Sequence, residues 1–78
     1  MPPQPRLPRL SGREVIATLE QIGFVQVRQR GSHVVLKRQT ADAETGCVVP
    51  LHDDLAIGTL RSILRQAQVS VEEFAAYL

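Results

Sequence analysis

Phe24-Val25-Gln26-Val27-Arg28-Gln29-Arg30-Gly31-Ser32-His33-Val34-Val35-Leu36-Lys37-Arg38 is the stretch that decides the fold. Phe24 to Arg30 alternates, with Val25 and Val27 on one face and Gln26, Arg28 and Arg30 on the other, the period-two pattern of a strand. Gly31-Ser32 supplies two residues of turn. His33 to Arg38 then alternates again, Val34 and Leu36 on one side and His33, Val35 and Lys37 on the opposite side. Two alternating runs joined by a two-residue turn predict an antiparallel hairpin.

On the N-terminal side, Ser11-Gly12-Arg13-Glu14 has the form of a capping box, in which Ser11 caps a helix start and Glu14 reaches back. Val15, Ile16, Leu19 and Ile22 follow at helical spacing. Gly23 closes that helix, because glycine adopts the left-handed conformation cheaply. On the C-terminal side, Gln39 to Gly46 is polar and aperiodic and reads as a loop. Cys47-Val48-Val49 reads as a short third strand stopped by Pro50. Asp53-Asp54 is placed near a helix entrance, where negative charge is favourable. Gly58-Thr59 opens a second helix, with Leu60, Ile63, Leu64 and Ala67 on one face and Arg61 and Arg65 on the other. Ser70-Val71-Glu72-Glu73 repeats the capping-box form and starts a short last helix edged by Val71, Phe74, Ala75 and Leu78. The expected class is α+β in the order α-β-β-β-α-α, with the sheet packed on the helices.

Residues 1–9 carry four prolines and two arginines and read as an extended, mobile tail, leaving residues 10–78 as one domain. A chain of 78 residues has room for one modest core. The single cysteine, Cys47, excludes an internal disulfide and a C-x-x-C metal site. Two histidines without such partners make no metal constellation, and no cofactor motif occurs. The start has no apolar segment of the signal-peptide kind, and no apolar run reaches a membrane span's length, so a cytoplasmic, non-membrane location is expected.

The formal net charge is only +1, but it is unevenly distributed. Arg28, Arg30, Lys37 and Arg38 crowd residues 28–38 without an acid among them, whereas acids gather at Asp42/Glu44, Asp53/Asp54 and Glu72/Glu73. That segregation suits phosphate binding, and equally a solvated strand surface. Within it, His33 points outward among cations. An imidazole there can take a proton from a ribose 2′-hydroxyl or give one to a leaving 5′-oxygen near neutral pH, while cations stabilise the phosphorane. As a residue type, a lone strand histidine more often only hydrogen-bonds. Gly31 and Ser32 can offer amides and a hydroxyl to a phosphate oxygen, or can simply form the turn. His52 is a candidate second acid–base group or an exposed loop residue. Arg61 can contact RNA phosphate or remain a solvated helix residue.

Val27-Arg28-Gln29-Arg30-Gly31-Ser32-His33, then Val49-Pro50-Leu51-His52, then Gly58-Thr59-Leu60-Arg61-Ser62-Ile63-Leu64-Arg65-Gln66-Ala67 leading into Val71-Glu72-Glu73-Phe74, occur in an order that resembles the HicA toxins, also called the YcfA-like family. The likeness runs from about Leu10 to Ala76. It implies a double-stranded-RNA-binding-like fold and a messenger-RNA endoribonuclease that halts translation without a cofactor. It also implies that His33 is catalytic; beside it, charge and placement put Arg28, Arg30, Gly31, Ser32, Lys37, Arg38 and Arg61 toward RNA and leave His52 as an auxiliary candidate. The implied partner is a HicB-type antitoxin, with operator DNA reached only through that complex. His52, Lys37 and Ser32 all stay open as the proton donor. Members often carry glycine where this chain has Gln68. The proline-rich start is not part of the pattern. Such folds read RNA backbone shape with little sequence preference, and the scarcity of aromatics (Phe24, Phe74, Tyr77) argues against base stacking. A non-catalytic RNA-binding module and a protein-docking module are the competing readings.

Overall fold

The computed structural model describes residues 6–78. The chain forms α1 (Gly12–Ile22), β1 (Val25–Arg30), β2 (His33–Gln39), β3 (Glu44–Pro50), α2 (Ile57–Ala67) and α3 (Val71–Ala76). The three strands make one antiparallel sheet in the order β1-β2-β3. This is the α+β architecture and element order expected.

The start of α1 follows the capping box in both directions: Glu14 N–H donates to Ser11 Oγ at 3.1 Å, and Ser11 N–H donates to Glu14 Oε1 at 2.9 Å. Gly23 ends the helix at φ 124, and its N–H donates to the Leu19 and Glu20 carbonyls. Val15, Ile16 and Leu19 are buried from this helix. They meet Val34 and Leu36 of β2, Cys47 and Val49 of β3, and Leu60, Ile63, Leu64 and Ala67 of α2 in one core. Phe74 brings α3 into the same core and is fully buried. Each buried Val, Leu, Ile or Phe of this core contributes about 1.5–3 kcal/mol by leaving water.

Several boundaries differ from the sequence reading. The expected loop 39–46 contracts to residues 40–43, because β2 continues to Gln39 and β3 begins at Glu44. Gln39 pairs with Glu44, and Thr40 closes the turn with its N–H and hydroxyl on the Ala43 carbonyl. Polarity there marks a wetted end of the hairpin, where a strand needs no apolar face. In β1 the pairing register slips between Gln26 and Arg28, so strict alternation fails and Val25 shares a face with Arg28 and Arg30. Asp53 and Asp54 do not enter the first turn of α2, whose cap is Ala56 without a side-chain bond. Asp54 instead receives two hydrogen bonds from Arg9, 3.0 Å from Nε and 2.8 Å from Nη2. These bonds and the adjacent charge hold the Asp54 carboxyl below its usual range. The second capping box forms in one direction only: Glu73 N–H donates to Ser70 Oγ at 3.0 Å, while the Glu73 carboxylate lies 3.7 Å from Arg38.

The tail reading covers residues 1–9, of which 1–5 lie outside the described residues. At 6–9 the chain is irregular but anchored: Leu7 packs into the core, and Arg9 clasps Asp54. Leu10 is buried, and its carbonyl accepts from Leu55 N–H at 2.8 Å. Gln68 keeps the left-handed geometry that glycine would take, at φ 56 and ψ 41, and still ends α2. No helix among the described residues is long and apolar enough to cross a membrane.

Candidate nucleic-acid interface

The turn between β1 and β2 is built on Gly31 at φ 55, a left-handed position with no neighbour within 4 Å of where a Cβ would stand. Gln29 Nε2 donates to the Gly31 carbonyl at 2.9 Å and braces the turn from the preceding strand. From the other side, Leu51 N–H donates to the Ser32 carbonyl at 2.6 Å. The turn is therefore held by a side chain from β1 and by the backbone that follows β3.

His33 is the first residue of β2, paired with Arg30 on one flank and Pro50 on the other. It is exposed, while its successor Val34 is buried beneath the sheet. Register places Arg28 opposite Val35 and Val25 opposite Lys37, so Arg28, Arg30, His33 and Lys37 share the outer face. Among the described residues, no helix covers that face. Lys37 Nζ lies 3.4 Å from Glu44 Oε1, which partly offsets its charge. Val25 and Val48 add exposed apolar surface among these cations.

Not every residue singled out from sequence gathers here. Arg38 follows Val34 and Leu36 onto the inner side, where its guanidinium carbon stands 4.9 Å from the centroid of the Phe24 ring. Its side chain is only 19% exposed, and its Nε is buried without a hydrogen-bond partner among the described residues. Arg61 is exposed on α2, in the helix layer, and borders a groove of about 270 Å³ with Arg65, Leu64, Val69, Ser70 and Val71. His52 lies in the exposed segment after β3, and its carbonyl accepts from Gly12 N–H at 2.9 Å. Because Pro50 pairs with His33 and Leu51 bonds to Ser32, that segment starts beside the His33 turn.

Two features escaped the sequence reading. The bulge in β1, which turns Gln26 to the inner side beside Gln29, is announced by no local pattern. The Arg9–Asp54 clasp joins residues 45 positions apart, and only opposite charge hinted at it. Cys47 is buried in the core, which pushes its thiol up to about 11, so it is no candidate nucleophile. Among the described residues, no group of three or more His, Cys, Asp or Glu is arranged to hold a metal ion.

Chemically, the outer face offers an accessible imidazole, the guanidiniums of Arg28 and Arg30, one partly paired ammonium and a turn hydroxyl. Compared with known protein families, the chain matches the family model described as "HicA toxin of bacterial toxin-antitoxin" over residues 12–69, most of its length. None of the curated proteins compared with it matches.

Proposed function

The chain belongs to the HicA toxin family of bacterial toxin–antitoxin systems, and from that membership we propose that it is an endoribonuclease that cleaves messenger RNA through His33. The observation that carries the reading is the placement of His33: exposed at the head of β2, paired with Arg30, on the same face as Arg28 and Lys37. A phosphodiester laid over this corner meets an acid–base group and positive charge together.

In the proposed reaction the ribose 2′-oxygen loses its proton and attacks the adjacent phosphorus. The P–O5′ bond breaks, the 5′-oxygen takes up a proton, and the products are a 2′,3′-cyclic phosphate and a 5′-hydroxyl. His33 serves one of the two proton transfers, which is typically worth about 10²–10⁴-fold in rate. Arg28 and Arg30 stabilise the charge gathering on the phosphorane. His52, Lys37 and Ser32 are the candidates for the other transfer. A HicB-type antitoxin neutralises the toxin by covering this face, and operator DNA is reached only through that complex.

The purified protein should cut RNA in the presence of EDTA and leave cyclic-phosphate ends. His33→Ala should bind RNA and fail to cut it. A variant that cleaves as fast as the parent overturns the role of His33. If both proteins bind and neither cuts, the chain is an RNA-binding module.

A further inference from the structure

β1 overhangs the helix layer. All six of its residues are exposed, and α1 and α2 pack chiefly against β3. Beneath the overhang runs a cleft of about 180 Å³ between α1 and the underside of β1. Ile16, Val34 and Leu51 give it an apolar floor, Gln26 and Gln29 a polar wall, and Arg13 and Glu20 are its charged residues.

The polar wall exists because of the bulge. Gln26 and Gln29 stand three residues apart, so regular alternation would send them to opposite faces. The register slip adds one residue between them, and both then pair with inward-facing partners, Gln26 with Leu36 and Gln29 with Val34. Bulges re-aim side chains in this way beside functional sites. Gln29 uses one N–H on the Gly31 carbonyl, leaving its amide oxygen and second N–H for a ligand. Leu51, in the floor, is bonded to Ser32. The cleft therefore abuts the turn that carries His33.

We propose that this cleft binds one unpaired purine base of an RNA strand whose backbone crosses the Gly31-Ser32-His33 turn; the idea rests on the RNA-acting reading above. The volume has room for a single base against an apolar floor. A glutamine amide presents one donor and one acceptor, matching N6 and N7 of adenine, and an arginine matches O6 and N7 of guanine. Pyrimidines lack N7, so they make neither match on that edge, and their single ring leaves more of the cleft unfilled. The outer face alone would grip phosphates without regard to sequence, whereas this cleft adds a purine preference next to the scissile bond.

The test is a titration of the full chain with AMP, GMP, CMP and UMP, followed by NMR at the side-chain amides of Gln26 and Gln29 and the methyls of Val34 and Leu51. Purine nucleotides should shift these signals and saturate, binding about 5-fold or more tighter than the pyrimidine nucleotides. Gln26→Ala/Gln29→Ala should abolish the preference for AMP, and Gln26→Ala alone, which spares the turn brace, should reduce it if the double variant is unfolded. Equal response to all four nucleotides, or shifts confined to the outer face, overturns the proposal. Purine binding by a chain that cuts no RNA would sink the nuclease reading and keep the cleft; cleavage without any cleft response would do the reverse.

Discussion

The Arg38 guanidinium stands over the Phe24 ring, 4.9 Å from its centroid, on the side of the sheet opposite His33. This stacking ties the start of β1 to the end of β2, and Glu73 of α3 adds an acid at 3.7 Å. Arg38 is thus a structural cation, although the sequence groups it with Arg28, Arg30 and Lys37. Arg38→Ala should cost about 1–2 kcal/mol, because it removes both the cation–π attraction and the packing of the arginine stem. A urea midpoint measures that cost. RNA affinity of the folded variant should match the parent's; a fall as large as that of Arg30→Ala would return Arg38 to the binding face.

Gly12 and Gly58 both sit in the first turn of a helix, yet they should respond to alanine with opposite sign. A Cβ on Gly12 would overlap the Pro50 carbonyl, and Gly12 N–H is already committed to the His52 carbonyl. Gly12→Ala should therefore destabilise by about 1–3 kcal/mol and disturb the segment carrying His52. Gly58 has nothing within 4 Å of such a Cβ. Gly58→Ala should stabilise by about 0.5–1 kcal/mol, because it removes backbone entropy from the unfolded chain. Thermal melts of the pair decide the matter.

Which parts of this architecture could be read beforehand follows from how local their causes are. The capping box at Ser11 and Glu14, the turn at Gly31 and the helical stripe of Leu60, Ile63 and Leu64 act within a few residues, and all three stand where their spacing places them. The outward direction of His33 follows as soon as Val34 and Leu36 are assigned inward. The rest is set by partners distant in sequence. Whether Val25 joins Arg28 depends on the register against Lys37 and Val35, and the length of β3 depends on what Thr45 and Gly46 face across the sheet. Arg9 and Asp54 needed the completed fold to find each other.

Gln68 holds a left-handed conformation at the end of α2, at φ 56. A side chain with a Cβ is strained there by roughly 1–2 kcal/mol, partly offset by the greater entropy glycine has when unfolded. Gln68→Gly should raise stability by about 0.5–1 kcal/mol, which corresponds to a melting-temperature gain of a few degrees in a domain of this size. A lower melting temperature would mean that Gln68 makes a compensating interaction at the helix end.

Cys47 supplies a pH test of the core. Burial pushes its thiol up to about 11, against about 8.5 in an unfolded chain. The neutral thiol is the form the fold accepts, so the contribution is fully present below the unfolded value. As pH rises above it, the unfolded chain loses its proton first, and stability falls until the folded value is passed. Urea midpoints should therefore decline between about pH 8.5 and 11 more steeply for the parent than for Cys47→Ala. Identical slopes would place the thiol in contact with solvent, in conflict with its burial.

Arg28, Arg30 and Lys37 share the outer face but not the same surroundings, and salt dependence should separate them. Removing one cation from a phosphate lowers the slope of log affinity against log salt by about 1. Arg28→Ala and Arg30→Ala should each do this and weaken all RNA sequences alike. Lys37 already has Glu44 at 3.4 Å, so Lys37→Ala should lower the slope by less. Glu44→Gln should then strengthen RNA binding, because it frees the ammonium and removes a like charge facing the phosphates. Filter binding across a salt series measures all four variants. Unchanged affinity in Glu44→Gln would show that the RNA backbone does not reach the far end of the β2–β3 ladder, confining the interface to the corner formed by Arg28, Arg30 and His33.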